Sequence, residues 1–390
     1  MANSGVRFDF DTVVERKNTN SAKFDMAERS GKPADILPMW VADMDFPVAP
    51  CITEALQKRI DHAIYGYGGL MEEYDKAVTG WFSRRFGWEA QPEWLVRTSG
   101  VVFSINIAVR AFTREGDGVI IQQPVYYPFQ SAVENNNRKL VNSELLFENG
   151  RYTMDFADFE KKVVEEQVKL FVLCSPHNPV GRVWTKEELI QIGDICVRHG
   201  VLILSDEIHA DFTYPGVTHT IFASLKPEFA ENTITCTAPS KTFNLAGLQT
   251  SNVFIANEKL RETYQKYLQR MGYHGPALMG QTACMAAYES AGDWLDQLQD
   301  YLKGNLDFMR DFLREKLPQL KLVEPEGTYL VWLDCSALGL KGEALDKFIV
   351  EKAKLWLDDG LMFGPGGEGF QRFNIACPRA TLREGLERLH

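Results

Sequence analysis

Residues 170–209 read LFVLCSPHNPVGRVWTKEELIQIGDICVRHGVLILSDEIH, and this stretch decides the fold class. Leu170 to Cys174 is an unbroken apolar run of strand length. Lys186 to His199 carries an amphipathic helical pattern, opened by Thr185 as N-cap with Glu188 completing a capping box. Val201 to Leu204 is the next apolar strand. Strand, helix and strand in that order form a βαβ unit, the building block of an open, mainly parallel α/β sheet.

Working outward, Thr233 to Thr237 and Asn252 to Ala256 predict further strands, and Glu258 to Gln269 and Pro276 to Ser290 predict helices. Beyond Gly292 the pattern changes. A long helix runs through Leu317, a strand follows at Thr328 to Leu333, a helix at Glu343 to Leu357 and a strand at Arg372 to Ala376. This predicts a smaller α+β unit joined to the first by continuous structure, since no low-complexity linker separates them.

The chain has 390 residues, 45% hydrophobic and 24% charged, which is more than one ordinary core requires. Its 42 basic side chains face 53 acidic ones, for a formal charge of −11, and no basic cluster stands out. Nucleic acid is a poor partner for such a surface. No apolar run is long enough to span a bilayer, and the start lacks an apolar leader, so a cytoplasmic protein away from membranes is expected. Seven scattered cysteines without a C-x-x-C pair predict reduced thiols, and neither they nor the histidines show metal-ligand spacing.

Three loops carry the chemistry, each after a predicted strand, where open α/β sheets place their ligands. Ser175 to Gly181 (SPHNPVG) is either an ordinary strand-to-helix turn or a rigid polar loop in which Asn178 donates its amide to an aromatic hydroxyl. Val201 to His209 ends an apolar strand in Asp206, Glu207 and His209. A carboxylate there is costly without a cation opposite. Asp206 is therefore a helix cap, a core salt-bridge partner, or the partner of a protonated pyridoxal ring nitrogen, with His209 behind it. Lys241, in Ala238 to Leu248 (APSKTFNLAGL), lies among small and apolar neighbours, where an amine loses charge and becomes nucleophilic or basic. An isolated lysine is usually just solvated. The succession Asn178, Asp206, Lys241 is what singles this one out.

With Met39–Phe46 (MWVADMDF), Tyr65–Tyr67 (YGY), Pro124–Pro128 (PVYYP), SPHNPVGRVW at 175–184, SDEIHADF at 205–212 and APSKTFNLAGL at 238–248, the chain resembles fold-type I pyridoxal-phosphate enzymes over essentially its whole length. Within them it is most similar to the MalY/PatB-type carbon–sulfur β-lyases, or cystathionine β-lyases. The resemblance implies an aspartate-aminotransferase-like fold with an N-terminal segment (1–50) packed on the small domain, a large cofactor-binding domain (51–291) and a small C-terminal domain (292–390). It implies pyridoxal 5'-phosphate bound covalently to Lys241, with Asp206 at the ring nitrogen, Asn178 at the ring hydroxyl and Tyr126 on the ring face. The phosphate then rests on the backbone N–H groups of Val101 and Val102, where a helix begins, with Ser240 adding a hydroxyl. Tyr67 matches a tyrosine that reaches the second subunit's phosphate, which implies a homodimer with shared sites. Arg372 matches the residue that clamps the substrate α-carboxylate with a bidentate fork.

Two positions depart from the aminotransferase pattern. His209 stands where tyrosine is usual, three residues after Asp206, and Gln249 where arginine is usual, eight after Lys241. They favour β-elimination on cystathionine or cysteine, giving pyruvate, ammonia and a thiol. The alternatives are an aminotransferase and a regulatory protein that binds a transcription activator.

Overall fold

The computed structural model describes residues 5–69 and 72–390, so the first four residues of the expected N-terminal segment lie outside the described residues. A seven-stranded sheet forms the centre: β1 (Leu95–Thr98), β2 (Gly118–Ile121), β3 (Lys139–Asn142), β4 (Leu170–Cys174), β5 (Leu202–Asp206), β6 (Thr233–Thr237) and β7 (Ser251–Phe254). In space they run β1-β7-β6-β5-β4-β2-β3. Only β7 is antiparallel to its neighbours, so the sheet is mainly parallel as predicted.

β2 (GVII) and β4 (LFVLC) are apolar throughout and fully buried because both faces of the sheet are covered there. Along β4 the side chains alternate: Val172 packs with Ile105, Leu204 and Val253 on one face, while Phe171 and Leu173 pack with Ile120, Ile203 and Phe159 on the other. Each such aliphatic or aromatic group contributes about 1.5–3 kcal/mol relative to exposure. The helix between β4 and β5 is bounded as the sequence dictates. Thr185 Oγ1 accepts from Glu188 N–H at 3.2 Å, Glu188 Oε2 accepts from Thr185 N–H at 2.8 Å, and Gly200 ends the helix at φ +65°.

The helix Leu278–Ser290 meets the long helix Gly292–Lys316 at Ala291. A four-stranded antiparallel sheet follows, built from β8 (Lys321–Val323), β9 (Leu330–Asp334), β10 (Asp358–Asp359) and β11 (Phe370–Asn374) in the order β8-β9-β11-β10. The helix expected over Glu343 to Leu357 stops at Glu351. Lys354 takes φ +53°, and Leu355–Trp356 instead pairs in parallel with Leu37–Pro38. A strand partner distant in sequence overrides local helical periodicity there. One hydrophobic cluster runs from Phe10 through Trp81 and Phe243 to Leu298, Leu333 and Phe373, so the two sheets share a continuous core.

Residues 39–46 cross between the sheets without regular structure, yet nearly every one of their carbonyls accepts a hydrogen bond. Asn374 Nδ2 donates to the carbonyls of Val41 and Asp43, and Asn374 N–H to that of Met39. Asn244, held at φ +58°, donates to the carbonyls of Met44 and Phe46 and accepts from Met44 N–H at 3.0 Å. Arg16 bridges Asp43 and Asp45 at 2.6 Å each, and the buried Lys23 reaches Asp45 at 2.7 Å. Asn244→Ala strands one donor and two acceptors together. It is expected to destabilise the protein by about 2–4 kcal/mol, read as a shift in the denaturant midpoint; a change under about 0.5 kcal/mol would show that this crossing is held by the core alone.

Candidate active site

Asp206 is the last residue of β5, with its neighbours in register being Cys174 on β4 and Cys236 on β6. Residues in register project to the same face, so the carboxylate emerges between two thiols. It is 3% exposed and accepts one backbone hydrogen bond, from Ile208 N–H at 3.1 Å. Burial pushes its pKa up to about 7, the mark of a carboxylate that awaits a cation. Glu207, beside it, has a different fate: Ser205 Oγ, Phe222 N–H and His219 Nε2 all reach its oxygens within 3.0 Å, which makes it a structural tie.

Lys241 sits on the short helix Pro239–Thr242 beyond β6. Its Nζ donates to the Ala42 carbonyl at 2.8 Å, and the Tyr329 hydroxyl donates to the same oxygen at 2.9 Å. Burial, reinforced by the positive charge of Arg372, lowers the lysine pKa to about 8. The helix is pinned through the next residue, since Thr242 Oγ1 donates to Asp211 at 2.7 Å and Asp211 also accepts from Trp81 Nε1 at 3.2 Å.

A cavity of about 190 Å³ lies between these groups, lined by Val101, Val102, Tyr126, Asn178, Asp206, His209, Ser240 and Lys241. The predicted helix start is there: Val101 opens the helix Val101–Phe112, and its first N–H groups have no partner within the helix. Ser99 and Thr250 add hydroxyls at the wall, and Gln249 takes its place beside them. His209 is buried with Nδ1 unpartnered, and burial with the charges of Lys241 and Arg372 lowers its pKa to about 3, so the imidazole is neutral. Its ring stands edge-on to Tyr329 at 6.0 Å.

Arg372 and Tyr67 stand outside that lining. Arg372, on β11, is 3% exposed and donates from Nη1 to Asn178 Oδ1 at 3.1 Å, which leaves the Asn178 amide NH₂ as its donor end. Tyr67 is fully exposed and forms no part of this cavity. The sequence reading passed over Ala42, Tyr329, Asp211 and Asp358. Asp211 lay inside the SDEIHADF stretch, and Ala42 inside MWVADMDF, but a carbonyl leaves no trace in side-chain pattern. Among the described residues no group of histidine, cysteine or carboxylate side chains could hold a metal, and no helix is long and apolar enough to cross a membrane. Among them also, the seven cysteines are free thiols.

Residues 34–389 match the aminotransferase class I and II family. The chain is 45% identical to cystathionine β-lyase PatB of Bacillus subtilis over 98% of both chains, and 35% identical to protein MalY of Escherichia coli over 97% of both. The crystal structure of cystalysin from Treponema denticola, which contains a pyridoxal 5'-phosphate cofactor, superposes with a TM-score of 0.95 at 42% identity, covering 98% of each chain. Identity at this level over nearly the full length leaves one conclusion: the chain belongs to the aminotransferase class I and II family, in the branch that contains PatB and MalY.

Proposed function

We propose that this protein is a pyridoxal-phosphate-dependent carbon–sulfur β-lyase that converts L-cystathionine or L-cysteine-type substrates to pyruvate, ammonia and a thiol. The observation that carries the reading is one cavity holding a lysine of lowered pKa, a buried carboxylate in need of a cation, and an open helix start. That donor set fits the cofactor at each end. Val101 and Val102 N–H with Ser240 suit a phosphate, Asp206 suits a protonated ring nitrogen, and the Lys241 amine suits an aldehyde. When bound, pyridoxal phosphate supplies the electron sink for the charge left after a proton leaves the substrate Cα.

The side chains divide the remaining work. Asp206 would hold the proton on the ring nitrogen of the bound cofactor and be kept ionised by it. Tyr126 would cover the ring of the bound cofactor and Asn178 would donate to its hydroxyl. Lys241 removes the Cα proton; a pKa near 8 gives it a far larger neutral fraction at neutral pH than an ordinary lysine has. The β carbon–sulfur bond then breaks, the thiolate leaves with the bonding pair, and water converts the three-carbon remainder to pyruvate and ammonia. The neutral His209 leaves the Asp206 carboxylate as the main charge facing the ring nitrogen.

Exposed Tyr67, with exposed Ile64 and Tyr65 just before it, offers an apolar edge to a second copy, whose site Tyr67 would complete. We assign the segments 1–50, 51–291 and 292–390 to the N-terminal segment, large domain and small domain, and the enzyme to the cytoplasm, where its thiols stay reduced.

With L-cystathionine and no 2-oxo acid, pyruvate, ammonia and homocysteine are expected in equal amounts over many turnovers. A transaminase would stop after about one equivalent and resume when 2-oxoglutarate is added. Arg372→Ala should raise KM for every amino-acid substrate by about ten- to a hundredfold, the worth of a charge-assisted contact; an unchanged KM in the folded variant removes Arg372 from the site. Light scattering of the active enzyme is expected to give the mass of a dimer, and a monomer that retains full activity would exclude the shared-site arrangement.

A further inference from the structure

Arg372 already has a carboxylate. Asp358 lies directly opposite it in the β10–β11 register, and its carboxylate pairs with Arg372 Nη2. Both side chains are nearly inaccessible, at 2% and 3% exposure. The same Nη2 donates to the Trp40 carbonyl at 2.8 Å, so both of its hydrogens are engaged. Nη1 gives one hydrogen to Asn178, and Nε is buried without a partner. The Phe363 ring lies 5.0 Å from the guanidinium carbon.

A guanidinium offers a carboxylate two flat edges, Nε with Nη2 and Nη1 with Nη2. The edges share Nη2. With that nitrogen spoken for twice, an arriving carboxylate finds single free donors at Nε and Nη1 but no complete fork. The neutral Trp40 carbonyl can give way at the cost of one hydrogen bond. Asp358 cannot leave a buried cation and remain charged in the same place without a large penalty.

We propose that Asp358 is a resident carboxylate which the substrate α-carboxylate must displace from Arg372, and that binding therefore delivers a proton to Asp358. The proposal rests on Arg372 being the α-carboxylate clamp. The groups that face Asp358 reinforce it: besides Arg372, these are Asp359 on its own strand and the hydroxyls of Tyr126 and Tyr127 from the turn opposite. None of them supplies a second cation. Burial already holds the Asp358 carboxyl above the usual carboxylate range, with Arg372 alone opposing it. A second anion on Arg372 raises it further. Between the pKa of the free enzyme and the higher one of the complex, carboxylate affinity falls as pH rises.

The test uses the holoenzyme and 3-(methylthio)propanoate, a thioether carboxylate without an amine, as competitive inhibitor. For the wild type, Ki is expected to rise with pH by up to about tenfold per unit within that window. Calorimetry in two buffers of different ionisation heat should show net proton uptake on binding. Asp358→Asn keeps an acceptor oxygen without the charge, so its Ki should be lower than wild type at the alkaline end, and the ratio of the two Ki values should change with pH. That ratio cancels ionisations common to both proteins, including Lys241. A ratio flat with pH, or weaker binding by the variant at every pH, overturns the proposal and makes Asp358 a simple anchor. Should the variant fail to fold, absence of proton uptake by the wild type decides against it equally. Arg372→Ala without effect on Ki would sink the clamp assignment itself, whereas a raised Ki with a flat ratio sinks only the competition.

Discussion

The Ala42 carbonyl accepts hydrogen bonds from both Lys241 and Tyr329, and much of the architecture is arranged to hold that oxygen still. It belongs to a stretch, residues 39–46, that has no strand partner along most of its length. Backbone groups in a buried crossing must be satisfied individually. Here the side chains of Asn244, Asn374, Arg372 and Arg16 do so, and they come from the lysine loop, from β11 and from the N-terminal segment. The crossing thereby ties the lysine loop to β11 and to the N-terminal segment. A shift of any one of those parts moves the oxygen against which the lysine amine is placed.

Charge in the cavity is handled by the same economy. Asp206 and His209 in the cavity and Arg372 beside it are withdrawn from water, Lys241 partly so, and each is driven toward neutrality or given a partner. His209 is neutral outright, Lys241 is brought close to it, and Arg372 is balanced by Asp358. Asp206 is the one left with a single backbone donor, between two weakly polar thiols. That deficit is what makes Asp206 suited to the cationic ring nitrogen assigned to it in the proposed function.

The fold was readable because it follows from local rules applied repeatedly. LFVLC and VLIL are apolar on both faces, which only a covered sheet accommodates, and Thr185 with Glu188 marks a helix start by hydrogen-bond chemistry confined to four residues. Where the reading slipped, at Leu355–Trp356, the deciding partner was Leu37–Pro38, more than three hundred residues earlier. No local pattern reports on such a pairing.

The same division holds for the site. The sequence by itself determined which residues stand at the ends of consecutive strands, because β4, β5 and β6 are contiguous parallel neighbours and their following loops must emerge together; Asn178, Asp206 and Lys241 come from this alone. The family resemblance added that a helix begins at Val101. Only the tertiary structure decided that Arg372 shares its guanidinium among Asp358, Trp40 and Asn178, and that Asp211 grips the residue beside Lys241. Those contacts join segments far apart in the chain through single hydrogen bonds, whose geometry is set by how two sheets pack and leaves no period or spacing in the sequence.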